Sequence, residues 1–454
     1  MRMGRNAEER LSMSEHPPGP PGHPVLGCLN DFRRTPLQFL DTCAREYGDV
    51  VSFRMLHMRG FLFAHPDQVH EVLLDRERAL IKGMALDGFR PLMGKSVFLA
   101  EGAAHKRQKR MMQPAFHHQR IEGYANTMVR HACRARETLQ PDTPVEITAV
   151  LSNLTLAIAA ETLFGAAIDD TESAMVSEAL TAFAAWYHRT SHPLGPILQY
   201  LPTEVTRNFR SARRNLFGII DRMVADRRSE GDRGDILSML VFARDEDDGE
   251  GMEESLIRDE ALTLLIAGHE TTAAAMAWAI WLLGRHPEAR AAMEAEVDTL
   301  EGRTPTFSDL PNLPLCRGVF GESLRLYPPS FAIPRQAARS LEIGGWAIPK
   351  GSLVMLAPWV THRDPRFWDA PLEFSPSRWT PEAEAQRHRN AFLAFGGGPK
   401  ICMGESFAWM EGPLLLATLA QRWRFEPLVQ EVELDTTFTL RPAGGLTVRL
   451  EARR

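Results

Sequence analysis

The chain contains little cysteine. The five cysteines among 454 residues are widely scattered: Cys28, Cys43, Cys133, Cys316 and Cys402. An odd number at such spacing does not predict a disulfide framework, and no pair has the close spacing of a zinc site. Both absences are typical of a protein in a reducing compartment, and we therefore expect a cytoplasmic location.

The sequence also lacks an uninterrupted hydrophobic run long enough to cross a membrane. Its first 16 residues, MRMGRNAEERLSMSEH, are polar and charged, unlike a signal peptide or a membrane anchor. The most apolar stretch, residues 262–284, is interrupted by HETT, so its apolar parts fall short of the ~18 uninterrupted apolar residues that a spanning helix needs. We therefore expect no membrane span.

An excess of positive charge is missing too. The 52 basic and 58 acidic residues give a net charge of −6, which argues against general nucleic-acid binding. No repeat or linker divides the chain, and the longest low-complexity stretch is HPPGPPGHP near the N-terminus. We predict a flexible, polar and proline-rich lead-in over residues 1–20, a single domain over residues 21–454, and a monomer.

Helical patterns dominate the rest of the chain. Residues 254–284 begin with acidic residues, end with glycine and are apolar on most faces, which predicts a long buried helix. Strand patterns cover parts of 49–65, 340–356 and 436–450, and the last two contain glycine turns typical of hairpins. The prediction is a mainly α fold with small β-sheets.

One cysteine lies in an unusual setting, AFGGGPKICMG, residues 394–404. The glycines permit positive φ and close backbone approach, so amide N–H groups can turn toward the sulfur. A helical pattern follows Gly404, and the N-terminus of that helix would add a positive dipole. These features favour a thiolate at Cys402, for haem ligation or for nucleophilic catalysis. The alternative is a buried cysteine that acts as a small hydrophobe.

The spacing of this segment resembles the haem-binding signature of the cytochrome P-450 family, F-G-x-G-x-[R]-x-C-x-G. The matching positions are Phe395, Gly396, Gly398, Cys402 and Gly404. The resemblance implies the P-450 fold, with haem b between a long central helix and the cysteine-bearing loop and helix. It implies Cys402 as the proximal iron ligand, with Phe395, Gly396, Gly404 and, on the long helix, Ala267 against the cofactor. Lys400 replaces the usual arginine and would meet a haem propionate as a point charge.

A second motif, AGHETT at residues 267–272, resembles the oxygen-activation sequence of the same family. Thr271 can bond back to the carbonyl of Ala267, which would loosen the helix and leave a groove beside the haem. Glu270 can relay protons from solvent, so Glu270 and Thr271 are the catalytic candidates for proton delivery. The alternative is a buried helix whose polar residues have no function. We expect His269 to be a packed or hydrogen-bonded histidine, since an axial histidine would block oxygen.

A third motif, ESLRLYPP, places Glu322 and Arg325 three residues apart. Alone, this spacing indicates a surface ion pair. The family, however, places such a pair in the core together with an arginine from a later segment, and FSPSRW supplies Arg378 here. The resemblance therefore implies a structural network of these three residues, without a catalytic role.

The resemblance also implies cationic partners for the haem propionates. His105 and Lys109 lie four residues apart on one predicted helix face, and Arg335 follows the third motif. The other basic residues of the first segment form either a solvated helix face or a docking surface for an acidic electron carrier: Lys106, Arg107 and Arg110.

Family analogy implies a substrate pocket built from four regions, residues 83–98, 183–201, 330–333 and 437–439, together with the long helix. Its candidate side chains are mostly apolar: Met84, Phe89, Leu92, Phe98, Ile266, Ala267, Phe331, Ala332, Ile333 and Phe438. Such a pocket indicates a fatty acid, terpenoid, steroid or polyketide, although each residue can equally be ordinary core. Arg90 is either a partner for a substrate carboxylate or a solvated loop arginine.

We therefore expect a haem-thiolate monooxygenase that hydroxylates or epoxidises a lipophilic substrate with one atom of O2. No flavin or reductase module is recognisable, so a separate ferredoxin or flavodoxin with its NAD(P)H-linked reductase would supply the electrons. One alternative is an H2O2-dependent peroxygenase, which does not require the pair Glu270 and Thr271. The other is a haem sensor or carrier without enzymatic activity.

Overall fold

A computed structural model of the protein describes residues 16–75, 78–116, 118–190, 195–242, 244 and 249–453. The α-helices in these residues are α1 Leu29–Arg34, α2 Pro36–Tyr47, α3 Pro66–Leu74, α4 Met84–Asp87, α5 Arg90–Met93, α6 Gly102–Met112, α7 His118–Thr138, α8 Ile147–Phe164, α9 Asp170–Thr190, α10 Gly195–Leu198, α11 Glu204–Glu230, α12 Ile236–Phe242, α13 Glu254–Arg285, α14 Pro287–Asp298, α15 Pro314–Leu326, α16 Pro358–Thr361, α17 Pro381–Gln386 and α18 Glu405–Ala420. The long helix predicted over residues 254–284 is confirmed as α13.

The strands are short. They are β1 Val50–Met55, β2 Met58–Phe63, β3 Leu80–Ile81, β4 Pro144–Glu146, β5 Ile333–Ala337, β6 Leu341–Ile343, β7 Trp346–Ile348, β8 Leu353–Leu356, β9 Trp423–Pro427, β10 Leu434–Asp435, β11 Arg441–Pro442 and β12 Thr447–Ala452. The described residues therefore have the mainly α character with small sheets that the sequence predicts.

These elements divide into two compact units, each built from several chain segments. The first unit comprises Met1–Leu86, Arg325–Glu373 and Glu384–Cys402, and the second comprises Asp87–Leu324, Phe374–Ala383 and Met403–Arg454. The single domain over residues 21–454 stays a prediction.

The first unit is organised around a five-stranded sheet in the order β1-β2-β8-β5-β3. The β1–β2 and β5–β8 pairs are antiparallel and the β2–β8 pair is parallel, with Phe61 opposite Val354. One face of the sheet packs on α3 and includes Leu393, a few residues before the cysteine segment. Burial of these apolar side chains is the main force that holds the segment's N-terminal end to the sheet.

The second unit is helical, with α13 at its centre. Helices α8, α11, α12, α14 and α18 all pack against α13, which explains why α13 is apolar on most of its faces. A three-stranded sheet in the order β4-β12-β9 lies at one side of this unit.

The hairpin predicted over residues 340–356 is confirmed for its first half. Strands β6 and β7 pair across Gly344 and Gly345, which both have positive φ. The second half, β8, leaves the hairpin and joins the five-stranded sheet.

The hairpin predicted over residues 436–450 is wrong. Strand β11 pairs with β10, whereas β12 pairs with β4 and β9. Glu146 explains the difference, because its carboxylate accepts hydrogen bonds from the Leu446 amide and from the first turn of α8. A Cβ at Gly445 would lie 2.4 Å from this carboxylate, so the glycine turn serves to bring β12 against β4.

The described end of the proline-rich lead-in is anchored to the first unit. The Ser52 amide donates to the Pro18 carbonyl over 2.9 Å, and the Ser52 hydroxyl donates to the Pro17 carbonyl. Residues 1–15 lie outside the described residues, so the flexible lead-in over 1–20 stays a prediction for them.

Helix α8 has the length and apolar composition of a membrane-spanning helix, but 61% of it is buried inside the protein. It packs against α7 and α13, as a core helix does. Composition of this kind in one buried helix is weak support for a membrane span.

Candidate functional site

The cysteine segment ends the first unit, and it presents its thiol at the surface. Gly396 and Gly398 have φ of +70° and +64°, and a Cβ at Gly398 would lie 2.1 Å from the Leu73 carbonyl oxygen. The Cys402 amide donates to the Phe395 carbonyl over 3.0 Å, which closes the segment into a tight loop. The sequence predicts positive φ and close backbone approach at these glycines, and the structure has both: Gly396 and Gly398 adopt left-handed backbone conformations, and at Gly398 there is no room for a Cβ.

Cys402 differs from the other cysteines in its exposure. It is exposed, whereas Cys28, Cys43 and Cys316 are buried. Burial raises the pKa of the Cys43 thiol to about 12 and raises the pKa of the Cys28 and Cys316 thiols. Buried thiols of this kind are inert, so Cys402 is the cysteine best placed to act as a ligand or nucleophile.

His362, which the sequence analysis missed, supports the start of this loop. The Leu393 amide donates to His362 Nε2 over 2.7 Å, so Nδ1 carries the proton and donates to the Arg325 carbonyl over 3.0 Å. The ring is fully buried and stacks on Phe392, and burial lowers its pKa well below the usual range. A neutral imidazole thus connects α15 to the cysteine loop. Its partners are more than 30 residues away, so no sequence spacing reveals it.

Two of the predicted propionate partners also belong to the first unit. Lys400 Nζ donates to the Leu80 carbonyl over 2.9 Å, and Arg335 NH1 donates to the Pro334 carbonyl over 2.8 Å. Both side chains are half-buried. These bonds hold the two cations beside the sheet, and their role toward a propionate stays a prediction.

In the second unit, α13 exposes two residues in the middle of an otherwise buried stretch. Ala267 and Thr271 are exposed, whereas most residues of α13 from Ile257 to Leu283 are buried. The Thr271 hydroxyl donates to the Ala267 carbonyl over 2.8 Å, as predicted. Helix α13 nevertheless continues unbroken through this turn. The expected loosening of the helix is therefore limited to the Ala267 carbonyl, which accepts the bond from the Thr271 hydroxyl.

Glu270 lies beside this turn as one partner of a buried ion pair. Arg441 NH1 lies 3.0 Å from Glu270 Oε1, and the Thr439 hydroxyl donates to the same oxygen over 3.2 Å. Arg441 also contacts Asp435 over 3.0 Å. A hydrogen-bonded pair of opposite charges at this distance holds the Glu270 side chain in place. The pairing joins residues about 170 positions apart, which explains why the sequence did not reveal it.

His269 is packed and hydrogen-bonded, as expected. Its Nδ1 lies 2.7 Å from the Leu265 carbonyl, and its ring is almost fully buried. Burial lowers the pKa of this histidine, with a weaker opposing effect from Glu270. The neutral His269 ring therefore donates a hydrogen bond to the Leu265 carbonyl of its own helix.

Glu411 on α18 is a buried carboxyl that the sequence analysis missed. It is fully buried, and among the described residues neither of its oxygens has a hydrogen-bond partner of good geometry. Burial raises its pKa from 4.5 to about 8, and the nearby Thr272 hydroxyl only partly offsets this effect. An unpaired carboxylate in such a site is strongly disfavoured, so Glu411 is protonated at neutral pH.

We expect Glu411→Gln to remove a pH dependence from stability. Because the folded-state pKa is raised, the wild type loses stability as pH rises from about 5 to about 8, by at most on the order of 5 kcal/mol. The variant should match the wild type near pH 5 and exceed its melting temperature above about pH 8. Differential scanning calorimetry of both proteins across this range measures the effect. Parallel curves would mean that the carboxyl titrates normally.

The remaining predicted propionate partners lie on α6. His105 is buried and Lys109 is half-buried, four residues apart on one face. Lys106 and Arg110 are exposed, and Arg107 donates to the Glu250 carbonyl over 3.3 Å. Helix α6 thus has a more buried pair, His105 and Lys109, and an exposed basic face, Lys106 and Arg110. Both assignments, to propionates and to a docking surface, stay predictions.

The predicted structural network has a buried carboxylate at its centre. Glu322 is fully buried and accepts from the Ser375 amide over 2.9 Å and from Trp379 Nε1 over 3.1 Å. Arg378 Nε lies 3.7 Å from Glu322, at ion-pair distance. The structural role of Glu322 and Arg378 thus agrees with their burial and contacts.

Arg325 makes its contacts in the first unit. It is fully buried, its NH1 donates to the carbonyls of His362 and Pro371, and its NH2 donates to the Glu373 carbonyl over 2.9 Å. The guanidinium therefore organises the carbonyls of residues 362–373, with Trp368 stacked 5.0 Å from its centre.

The predicted pocket residues of the second unit meet in an aromatic cluster. The Phe89 ring lies 5.8 Å from that of Phe98 and 5.6 Å from those of Phe183 and Phe438. Phe98 is partly exposed, as a pocket wall requires. Leu92 and Ile266 are fully buried, so the packing alone does not separate a pocket role from ordinary core.

The pocket residues of the first unit are more accessible. Met84 is exposed, and Phe331, Ala332 and Ile333 are half-buried at the start of β5. Arg90 of the second unit is the first residue of α5 and pairs with Asp87 over 2.7 Å at the surface, which agrees with a solvated arginine but not with a loop position.

Each unit, taken by itself, contains residues that fit part of a haem. In the first unit, an exposed thiol on a glycine loop suits one axial position of a haem iron, and Lys400 and Arg335 suit carboxylates. In the second unit, the small exposed residues Ala267 and Thr271 on α13 suit a flat apolar group. Within the residues that the structure describes, no three His, Cys, Asp or Glu side chains come close enough to bind a metal.

Comparisons with known proteins agree with this geometry. The sequence model of the cytochrome P450 family matches residues 17–448. Cyclooctat-9-en-7-ol 5-monooxygenase from Streptomyces melanosporofaciens is 38% identical over 408 residues, covering 89% of this chain and 88% of the relative. Pentalenene oxygenase from Streptomyces avermitilis is 31% identical over 437 residues, covering 95% and 96%.

A solved structure extends the similarity to the fold. The crystal structure of a cytochrome P450DA heme domain superposes with a TM-score of 0.86 at 26% identity, covering 96% of this chain and 98% of that one. The two proteins share the mainly α fold with small sheets that the sequence predicts.

Proposed function

The chain belongs to the cytochrome P450 family and is a monooxygenase of that family, and on this premise we propose that it oxidises a terpenoid with Cys402 as the haem-iron ligand. The exposed Cys402 thiol on its glycine loop carries the proposal. The substrate class is supported by the aromatic cluster around Phe89 and by the names of the two relatives, which refer to cyclooctat-9-en-7-ol and pentalenene.

When bound, haem supplies the activation of O2 and the oxidising power for insertion into a C–H or C=C bond. The protein supplies the environment of this chemistry. Cys402 would hold the iron through its sulfur, and the backbone hydrogen bond to Phe395 keeps the residue in place. His105, Lys109, Arg335 and Lys400 would pair with the propionates, and Phe395, Gly396 and Gly404 would contact the ring.

Proton delivery would use the exposed turn of α13. The Thr271 hydroxyl donates to Ala267, so its lone pairs remain able to accept a hydrogen bond from water. Glu270 is held by Arg441 and Thr439, and it would pass a proton only when this pair opens. These contacts agree with the proposed roles of Thr271 and Glu270 in proton delivery. They add Arg441 as a residue that would control when Glu270 takes part.

The electron supply belongs to the proposal as well. We infer a separate ferredoxin or flavodoxin with an NAD(P)H-linked reductase, docking on the exposed basic face of α6, Lys106 and Arg110. A monomer in the cytoplasm is the proposed working state.

Thr271→Ala should uncouple electron consumption from product formation. Loss of the hydroxyl removes the group that accepts and orders water at the exposed turn, so reduced oxygen leaves as peroxide. We expect NAD(P)H consumption within about twofold of wild type and product per electron at least about 10-fold lower. A reconstituted system with ferredoxin, its reductase and a terpenoid panel measures both quantities together with peroxide.

Thr162→Ala is a matched control, since its hydroxyl makes the same helical bond, to Ile158, at a buried position of α8. It should keep normal coupling. Equal coupling in Thr271→Ala and wild type would contradict the assignment. Wild-type turnover with H2O2 but none with O2 and reductase would favour the peroxygenase. Haem binding without product across the panel would favour the sensor.

A further inference from the structure

The loop between α5 and α6, residues 94–98, is held against the N-terminal half of α13. Gly94 has φ of +57°, and a Cβ at this position would lie 1.9 Å from Asp259 Oδ2. The loop backbone and the α13 side chains are therefore in direct contact, and only glycine fits at this point.

Two consecutive carboxylates of α13 bind the backbone of this loop. Asp259 Oδ2 accepts from the Lys95 amide over 2.8 Å. Glu260 accepts from the Val97 amide with both oxygens, over 2.9 and 3.0 Å. Hydrogen bonds to a carboxylate are about twice as strong as neutral ones, and Glu260 is fully buried, where water does not compete.

The opposite side of the loop is held by α6. Gln108 Nε2 donates to the Lys95 carbonyl over 3.0 Å. The charged groups near Asp259 are Arg213, Arg258 and Lys95, and burial raises the pKa of Asp259 against their effect. The same short loop is thus bound by side chains from two helices, an arrangement that opposes its opening.

The held loop carries one part of the aromatic cluster. Phe98 is the last of the held residues 94–98, and Phe89 directly precedes α5. The Phe89 ring contacts Tyr187 at 5.0 Å and Phe438 at 5.6 Å. A shift of the loop would therefore separate Phe98 from Phe89 and change the shape of this wall.

We propose that Asp259 and Glu260 are positioning residues that hold residues 94–98 and thereby give the aromatic wall one fixed shape. A rigid wall selects for compact, rigid ring systems over flexible chains of equal size, because it does not rearrange around an extended ligand. The selectivity rests on the proposed oxidation of terpenoids. The clamp, by which we mean the bonds from Asp259 and Glu260 to the loop backbone, does not depend on that proposal.

Hydrogen exchange of the haem-loaded enzyme tests the clamp without any substrate. Glu260→Gln replaces one carboxylate oxygen, an acceptor for the Val97 backbone N–H, by the NH2 group of the glutamine side chain. We expect the Val97 backbone N–H to exchange at least about 10-fold faster in this variant. Glu254→Gln is the matched control, since Glu254 is an exposed acid of the first turn of α13, paired with Arg228. The control should exchange at the wild-type rate, and an unchanged rate in Glu260→Gln would overturn the clamp.

Spectral titration tests the selectivity. We expect the wild type to bind the tricyclic hydrocarbon cedrene more tightly than open-chain farnesol, as read from the spin-state shift. In Glu260→Gln this preference should fall by about 10-fold while the reduced CO spectrum stays unchanged. Faster exchange with an unchanged preference would overturn the link between the loop and the wall.

A second variant protects the test against a folding defect. Asp259 is half-buried, whereas Glu260 is fully buried, so Asp259→Ala should fold and release the Lys95 amide to faster exchange. If the wild type binds neither probe, the proposed substrate class fails. The exchange rates then still decide whether the carboxylates hold the loop.

Discussion

Cys402→Ser should abolish both the thiolate spectrum and turnover. A serine hydroxyl does not replace a thiolate as an electron-donating iron ligand, and Cys402 is the exposed cysteine of the chain in a glycine loop. The reduced wild type with CO should absorb at the long wavelength typical of thiolate ligation. The variant should lose this band, and product formation should fall to the level without enzyme.

The control for this substitution is Cys133→Ser. Cys133 is half-buried and lies on α7, far in sequence from the glycine loop. This variant should keep the spectrum and the activity. A Cys402→Ser protein with an unchanged CO spectrum would contradict the ligand assignment, and so would wild-type protein whose haem is bound through nitrogen on both faces.

Glu322→Ala should yield little folded, haem-loaded protein. The carboxylate is fully buried and satisfies the Ser375 amide and the Trp379 indole, while Arg378 lies at ion-pair distance. Its removal leaves two buried donors and a cation without their acceptor, at a cost of about 3–5 kcal/mol. This is a large part of the stability of a typical domain.

Yield of soluble haem protein and urea unfolding at neutral pH measure the loss. Glu322→Gln keeps one acceptor for the Trp379 indole and should lose less stability than Glu322→Ala. Glu373→Ala is the surface control, since only its backbone carbonyl takes part in the arrangement around Arg325. A Glu322→Ala protein as stable and active as wild type would contradict the proposed network.

The site features that the sequence predicted correctly are local ones. The bond from Thr271 to Ala267 spans four residues of one helix, and the tight turn around Gly396 and Gly398 follows from glycine's access to positive φ. The length of α13 follows from its own composition. In each case, neighbouring residues contain all the physical information that the prediction needs.

Other features depend on partners that are distant along the chain. Strand β12 pairs with β4 and β9 rather than with its neighbour β11, because Glu146 of the distant β4 accepts the Leu446 amide. The tautomer of His362 depends on the amide of Leu393, and the position of the Glu270 side chain depends on its contact with Arg441. No spacing rule connects such residues, so sequence reasoning did not find them.

The amino-acid sequence alone determined the family, the mainly α fold, the glycine loop of Cys402 and the helical turn of Thr271, since these depend on short-range geometry and residue type. Only the tertiary structure decided which groups surround the buried acids. Among the described residues it gives Glu411 no hydrogen-bond partner of good geometry, pairs Glu270 with Arg441, and places Asp259 and Glu260 on a loop more than 160 residues earlier. The physical reason is that the charge state of an acid depends on its burial and neighbours, and these are set when distant segments pack together.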